Sequence, residues 1–306
     1  MKIFMKYFFI DFFNYLAYYI RKRKNNMTKE YEELALSYLD STFCIKLIEY
    51  IKSRDDYPLF KNLYKLIKIN SDASSVDFNK IKNMYNELFN INDVIYYPKN
   101  LPVLKYFRDI KIKNLDMISP FDVPINFIKG EEMSCSVEGG IVPYNNKNFR
   151  YVRKLNLTLT KAVLESYAHE IAHTQQTFMS GVNNEMIPIF MEIIARDYIN
   201  NDDYMIKLRF NSLLNNLDFI INNPFPHDEL LIIQKDDAIK YTESTLKAFM
   251  LYFIYNNEQL SSKKAQIIDG IQDCFDNKLS VREFLNRNDI KEDNYKNLSL
   301  IRQYFK

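Results

Sequence analysis

Turn-forming residues are scarce in this chain, and their scarcity narrows the folds that it can adopt. Five glycines and nine prolines occur among 306 residues, whereas an all-β fold needs turn signals at short, regular intervals. Apolar residues instead recur at helical spacing over long stretches. These stretches are residues 28–52, 58–70, 76–91, 100–110, 160–178, 185–200, 203–221, 227–257, 263–275 and 279–304. The sequence therefore predicts a mainly α fold.

One segment between the helical stretches has a different pattern. Glycine and proline cluster from Ile118 to Leu159, and short runs there alternate apolar and polar residues. The runs Ser134–Tyr144 and Arg150–Leu157 are typical of two strands, and the letters NNKN between them are typical of a turn. We therefore expect a small antiparallel β ribbon directly before the helix that begins near Thr160.

Charge and cysteine content exclude several classes of protein. The formal net charge is +2, so the chain as a whole has no strong attraction for nucleic acid or for an acidic membrane. Its three cysteines, Cys44, Cys135 and Cys274, are far apart in the sequence and form no C-x-x-C pair. This spacing predicts free thiols in a reducing compartment, and thus a cytoplasmic protein without a disulfide framework.

The N-terminal segment differs from the rest of the chain. Residues 3–20 are rich in aromatic side chains and are followed by the basic run Arg21–Lys24. A transmembrane helix needs about 20 mostly apolar residues, and Lys6 and Asp11 interrupt this stretch at a cost in free energy. We expect residues 1–26 to form an amphipathic helix that packs on the body of the protein or contacts a membrane peripherally. A membrane span is the alternative.

The run His169-Glu170-Ile171-Ala172-His173 is the strongest indication of chemistry in the sequence. It lies in a stretch predicted to be helical, so the two histidines, four positions apart, share one helix face. Two imidazoles with this spacing can bind one Zn²⁺, and Glu170 beside the first can act as general base on a metal-bound water. The chain has three histidines, and two of them are in this motif.

A catalytic zinc site needs a third protein ligand beyond His173. Glu185 and Glu192 are the two best candidates, because they are seven residues apart in the next helical stretch and share a helix face. Asp197 is a weaker third choice. Metal-bound histidines usually donate their other N–H to a carboxylate or a carbonyl. We therefore expect one glutamate to bind the metal and the other to support a histidine, and the residues alone leave that assignment open.

The residues around the motif resemble those of a known peptidase family. The segment RYVRKLNLTLTKAVLESYAHEIAHTQQTFMS is similar to the zinc-site segment of the thimet oligopeptidase and oligopeptidase F superfamily, and EMIPIFMEIIARDY resembles that family's next helix. The resemblance implies a zincin-like helical metallopeptidase of the gluzincin type, with Glu185 as the zinc ligand and Glu192 as a second carboxylate. Three features depart from the family: Ala172 replaces its usual glycine, the connection between His173 and Glu185 is much shorter, and the chain is roughly half the family's usual length.

A peptidase also needs a hydrogen-bond donor for the oxyanion that develops on the scissile carbonyl. The run KYTESTLKAF resembles the family's stretch with a tyrosine that contacts this carbonyl, which implies that role for Tyr241. His227, in NPFPHDEL, and Tyr198 are further candidates. In the run VEGGIVPY, Gly139 and Gly140 could let a substrate strand approach the edge of the ribbon closely.

These features together predict three parts and a hydrolytic function. Residues 1–26 precede an N-terminal helical lobe, residues 27–117, and a zinc peptidase catalytic region, residues 118–306. We expect one Zn²⁺ per chain and hydrolysis of short or unfolded peptides, with Glu170 as general base. The alternatives are a catalytically inactive peptide-binding protein with a vestigial zinc site, or a membrane-associated processing peptidase.

Overall fold

The structure is a computed structural model. It describes residues 73–91, 95–98, 115–129, 134–144, 147–176, 185–199, 204–222, 229–256 and 261–290. The predictions for residues 1–26, for the helical stretches 28–52, 58–70 and 100–110, and for His227 lie outside the described residues.

Helices make up most of the described part of the chain. They are α1 (Asn79–Leu88), α2 (Val163–Gln175), α3 (Met186–Ile194), α4 (Arg196–Ile199), α5 (Tyr204–Asn222), α6 (Glu229–Asn256), α7 (Ser261–Phe275) and α8 (Val281–Arg287). Each coincides with a stretch for which apolar spacing predicts a helix, although α5 ends one residue later and α7 begins two residues earlier than predicted. The mainly α fold is therefore confirmed. Within the ranges given above, no helix combines the length and the hydropathy that a membrane crossing requires.

Helix α3 lies at the centre of the core. All nine of its residues are buried, and Glu192 is its one charged residue. A helix that is apolar on nearly every side has to be enclosed by other elements, and α3 packs against α2, α5 and α6. This packing fixes the position of the carboxylate of Glu192, because close-packed neighbours leave the helix no room to rotate.

A small mixed sheet precedes α2. Its strands are β1 (Ile95–Pro98), β2 (Leu115–Ile118), β3 (Ile125–Ile128), β4 (Ser136–Tyr144) and β5 (Lys147–Thr158). β4 and β5 pair antiparallel along their length, which confirms the predicted ribbon. β1 and β3 both pair parallel with β5. Since a strand has two edges and β4 occupies one of them, β1 and β3 share the other, and β2 pairs antiparallel with β1.

The sequence patterns did not predict strands β1, β2 and β3. Each has four residues, which is too short to show an alternating pattern of apolar and polar residues. β1 and all but the last residue of β2 fall in the segment predicted as an N-terminal helical lobe, yet β1 belongs to the same sheet as β5. The division at residue 117 stays a prediction, and the sheet contains strands from both sides of it.

The structure explains why a glycine occupies position 139, which the sequence did not reveal. The pairing of β4 with β5 shifts register between Glu138 and Gly139. A Cβ atom at Gly139 would lie 2.4 Å from the carbonyl oxygen of Tyr151, which is closer than real Cβ contacts. The close backbone approach at Gly139 is therefore with β5 itself, and a glycine is needed there for the ribbon to form.

The end of β5 and helix α1 together position helix α2. Thr158 is the last residue of β5; its Oγ1 donates to the carbonyl of Ser134 at 2.7 Å and accepts from the N–H of Ser134 at 2.9 Å. From α1, the hydroxyl of Tyr85 donates to the carbonyl of Ala168 at 2.6 Å. The end of β5, shortly before α2, and the middle of α2 are thus each held by hydrogen bonds to other parts of the chain.

Candidate metal centre

Helix α2 presents both histidines of the motif on one side. Ala168, Ile171 and Ala172 are buried in the core, and this burial sets the rotation of the helix. The rings of His169 and His173 lie with their centroids 4.8 Å apart, and their Nε2 atoms are 3.1 Å apart. The two imidazoles that the motif predicts therefore converge.

Glu185 brings a third donor atom to the two imidazoles. It is the N-terminal cap residue of α3 and it is buried. Its Oε2 lies 3.4 Å from Nε2 of His169 and 3.4 Å from Nε2 of His173. His169, His173 and Glu185, here called the three-donor group, can together hold a metal ion.

The spacing of the three donor atoms can be compared with the requirements of a tetrahedral ion. Zinc binds imidazole nitrogen and carboxylate oxygen at about 2.0–2.2 Å, which puts neighbouring ligand atoms of a tetrahedron about 3.3–3.6 Å apart. The distances within the three-donor group are 3.1, 3.4 and 3.4 Å. A tetrahedral ion therefore fits among these atoms with only small shifts.

The three-donor group attracts positive charge even without a metal. Burial disfavours the charged form of His169, but hydrogen bonds with Glu185 and Glu192 raise the pKa of its imidazole to about 9. Burial favours the neutral form of Glu185, but its contacts with His169 and His173 hold the pKa of its carboxyl far below the ordinary range. A proton or a metal ion can supply the charge that these atoms stabilise.

Glu192 lies on the opposite side of His169 from Glu185. It is fully buried, and its Oε2 is 2.9 Å from Nδ1 of His169. When Nδ1 carries the proton and donates it in a hydrogen bond to this carboxylate, the lone pair of Nε2 faces His173 and Glu185. Of the two glutamates that the sequence left open, Glu185 is thus in the group that can hold a metal, and Glu192 supports His169 from behind.

Arg209, from α5, holds Glu192 in place. Its Nε donates to Oε1 of Glu192 at 2.9 Å, and its Nη2 makes a short contact with Oε2. Burial favours the neutral form of Glu192, but Arg209 and then His169 hold the pKa of the carboxyl below its ordinary value. No sequence pattern indicates a role for Arg209, because it lies on a separate helix and belongs to no recognisable motif.

A second cation contacts the other glutamate. Nζ of Lys240, on α6, lies 3.5 Å from Oε1 of Glu185, the oxygen that is turned away from the imidazoles. The side chain of Lys240 is 43% exposed, so water screens much of this attraction. Asp197 pairs with its neighbour Arg196 at 3.3 Å and does not belong to the three-donor group.

Glu170 lies between the two histidines in sequence and borders a cavity of about 400 Å³. It is 2% exposed, and its Oε2 has no hydrogen-bond partner among the described residues. Burial raises the pKa of its carboxyl, and the nearby histidines partly offset this. The cavity is lined by Ser134, Cys135, Ser166, His169, Glu170, Glu192, Leu208, Arg209, Ser212, Asn216 and Tyr241.

Tyr241 lies in the wall of the same cavity as Glu170, although the two residues are far apart in sequence. Burial and the nearby carboxylate of Glu185 raise the pKa of the Tyr241 phenol, so its hydroxyl remains a hydrogen-bond donor at neutral pH. The hydroxyl of Tyr198 donates to Glu87 at 3.0 Å instead, and Tyr198 does not line the cavity. The cavity also contains Cys135, which is a free thiol, as predicted.

Comparisons of the chain with protein-family models, with curated proteins and with solved structures find no match. The fold and the site therefore define the class of protein by themselves. It is a mainly helical protein with a small mixed sheet and a buried His–His–Glu group able to hold a metal ion. The resemblance to the thimet oligopeptidase superfamily depends on short motifs and stays a prediction.

Proposed function

We propose that this protein is a zinc-dependent peptidase that hydrolyses short or unfolded peptides. The observation that carries the proposal is the three-donor group, whose member His169 borders the same cavity as the carboxylate of Glu170. Amide hydrolysis at a metal centre needs an ion with an open position, a base that activates water, and space for the substrate. The residues of this site can meet all three requirements.

The donor chemistry supports zinc as the ion. Two imidazole nitrogens and one carboxylate oxygen are a ligand set of catalytic zinc sites, and they leave the fourth position open. When both imidazoles are neutral, as metal binding requires, the carboxylates of Glu170, Glu185 and Glu192 around the three-donor group outnumber the cationic side chains of Arg209 and Lys240. A divalent cation offsets the excess negative charge. When bound, zinc supplies Lewis acidity, which polarises the scissile carbonyl and lowers the pKa of a water molecule to about 7.

Glu170 is the proposed general base. Its unpaired Oε2 can hold the attacking water, accept its proton and return that proton to the leaving amine. The raised pKa of its buried carboxyl favours this proton uptake. Tyr241 is the proposed donor to the developing oxyanion, because its protonated phenol borders the same cavity. His227 stays a sequence-based candidate for the same task.

The shape of the site supports small or extended substrates. A cavity of about 400 Å³ is within the range of small-molecule pockets, so it has no room for a folded protein. Ser134 and Cys135, just before β4, form part of its wall. Among the described strands β4 pairs only with β5, so its other edge can hydrogen-bond to the backbone of an extended peptide.

Two measurements on purified protein test the proposal. The parent protein is expected to contain one zinc ion per chain and to cleave members of a mixture of short peptides, detected by mass spectrometry. Glu170→Gln should keep the zinc, because the three ligands remain, and should lose cleavage by about 100-fold or more, because the base is gone. Cleavage by Glu170→Gln at the parental rate would exclude Glu170 as the base.

Asp197→Asn is the matched control, because it makes the corresponding carboxylate-to-amide change on α4, outside the three-donor group. It should keep both zinc and cleavage. Bound zinc with no cleavage of any peptide by the parent would favour the inactive peptide-binding protein instead. Absence of bound zinc, even after reconstitution, would exclude the proposed peptidase.

A further inference from the structure

A continuous chain of contacts joins helix α5 to the three-donor group. Arg209 donates to both oxygens of Glu192, and Oε2 of Glu192 contacts Nδ1 of His169 at 2.9 Å. Nε2 of His169 then faces His173 and Glu185. We propose that Arg209 is a positioning residue for the metal ligand His169, through Glu192. This inference rests on the proposed metal site.

The physical reason is that Glu192 needs a partner of its own before it can orient His169. A fully buried carboxylate has lost its hydration, so its oxygens need hydrogen-bond donors from the protein to keep one orientation. Arg209 supplies the compensating charge. Its planar guanidinium also donates two parallel hydrogen bonds, which fix both carboxylate oxygens and therefore the orientation of the His169 ring.

The two histidines of the group differ in this support. Nδ1 of His169 has a buried carboxylate partner. For His173, the polar contacts with described residues are all made by Nε2. His169 is therefore the ligand whose direction is fixed before a metal binds. We expect the affinity for the metal to depend on Arg209, although Arg209 does not touch the metal.

Zinc affinity provides the test, measured by competition with a chromophoric chelator. Arg209→Met should lower the affinity of the full-length protein about 10- to 100-fold, the range found when the partner of a metal-binding histidine is lost. Arg209→Lys keeps the charge but not the planar fork, so it should fall between Arg209→Met and the parent. In Co²⁺-loaded protein, the visible absorption of a four-coordinate site should weaken in Arg209→Met.

Arg196→Met is the matched control for the loss of a buried arginine. The side chains of Arg196 and Arg209 are 11% and 13% exposed, and Arg196 pairs with Asp197 outside the three-donor group. It should leave zinc affinity at the parental value. If Arg196→Met lowers zinc affinity as much as Arg209→Met does, the effect is one of general stability and the inference is overturned.

A double-mutant cycle with Glu192→Gln separates action through Glu192 from an independent effect. If Arg209 acts through Glu192, the double variant should bind zinc no more weakly than Glu192→Gln alone. Additive losses, or parental affinity in both Arg209→Met and Arg209→Lys, would overturn the inference while leaving the peptidase proposal intact. If Arg209→Met does not fold, Arg209→Lys takes its place in the cycle. A parent protein that binds no zinc would instead overturn the proposed function and this inference with it.

Discussion

Glu185 and Glu192 are both buried glutamates at the same helix, but different groups contact their carboxylates. Glu185 faces two imidazole nitrogens that a metal ion can share, whereas Glu192 is paired with the guanidinium of Arg209. Without Glu185, His169 keeps Glu192 as a partner and Lys240 is 43% exposed, so neither is left as an unpaired buried cation. A residue paired with a buried cation cannot be removed in this way, because its loss leaves that charge uncompensated.

This difference predicts opposite effects of two alanine substitutions. Glu185→Ala should abolish stoichiometric zinc binding, since it removes a ligand, and should destabilise the metal-free protein less than Glu192→Ala does. Glu192→Ala should lower zinc affinity only about 10- to 100-fold but should reduce the free energy of unfolding by about 3–5 kcal/mol, because Arg209 is left buried and unpaired. Zinc titration of both variants measures the metal affinity, and urea unfolding of both variants in the presence of a chelator measures the stability. The reverse pattern would make Glu192 the metal ligand.

At the scale of residues, the sequence predicted what local spacing determines. His169 and His173 are four positions apart on one helix, so their convergence follows from helix geometry. Residue spacing narrowed the third ligand to Glu185 and Glu192, and the family resemblance favoured Glu185. Spacing alone could not choose between them, because the choice depends on how α3 is oriented against α2. Arg209 could not be predicted, because its contact with Glu192 arises from packing between α3 and α5, and no sequence pattern records such packing.

At the scale of elements, the ribbon β4–β5 connects the sheet to the site. Its turn and its alternating runs are local features, and the sequence predicted both strands. The pairing of β5 with β1 and β3 involves segments that are distant in sequence and only four residues long. Such pairing depends on the tertiary arrangement and leaves no periodic signal. The sequence therefore predicted the ribbon, whereas the other three strands of the sheet became apparent only in the structure.

The register shift at Gly139 predicts a sensitive position in this ribbon. In Gly139→Ala the new Cβ would lie 2.4 Å from the carbonyl oxygen of Tyr151 and clash with it. The two strands would then have to separate. We expect a loss of about 1–3 kcal/mol in the free energy of unfolding, as for other overpacked sites, measured by urea denaturation.

Ser136→Ala on the same strand is the control for this position. It removes one exposed side-chain hydrogen bond, in which Asn156 donates to Ser136 at 3.1 Å, so its cost should stay below about 1 kcal/mol. Because Ser134 and Cys135 precede β4 and line the cavity, Gly139→Ala should also weaken peptide cleavage more than Ser136→Ala does. Equal stability of the two variants would show that the ribbon adapts to a Cβ at Gly139.

At the scale of the whole molecule, the site brings together helices that are far apart in the chain. α2 and the N-terminal end of α3 carry the three-donor group, α5 supplies Arg209, and α6 supplies Lys240 and Tyr241. These helices also form the core around α3. Any ion or proton that the site binds therefore stabilises the packing of the fold as well, because binding to the folded state shifts the unfolding equilibrium.

This coupling predicts a pH dependence that differs between the metal-free and the zinc-loaded protein. The folded-state pKa of His169 is raised from 6.5 to about 9, so a protonated His169 stabilises the metal-free protein fully below pH 6.5. That stabilisation is lost as the pH rises through 9. The lowered pKa of Glu185 acts in the other direction: its contribution is present above its ordinary value of 4.5 and is lost as the pH falls.

Zinc and the proton on His169 compete for the same nitrogen, so zinc binding must release that proton at low pH. The increase in melting temperature that excess zinc produces should therefore grow from pH 6 to pH 9, while the chelated protein becomes less stable over the same range. Thermal unfolding at several pH values, with zinc and with chelator, measures both trends. His169→Gln should show neither trend, because it lacks the titrating imidazole. A zinc-dependent increase that stays constant from pH 6 to pH 9 in the parent would mean that the ion does not bind at His169.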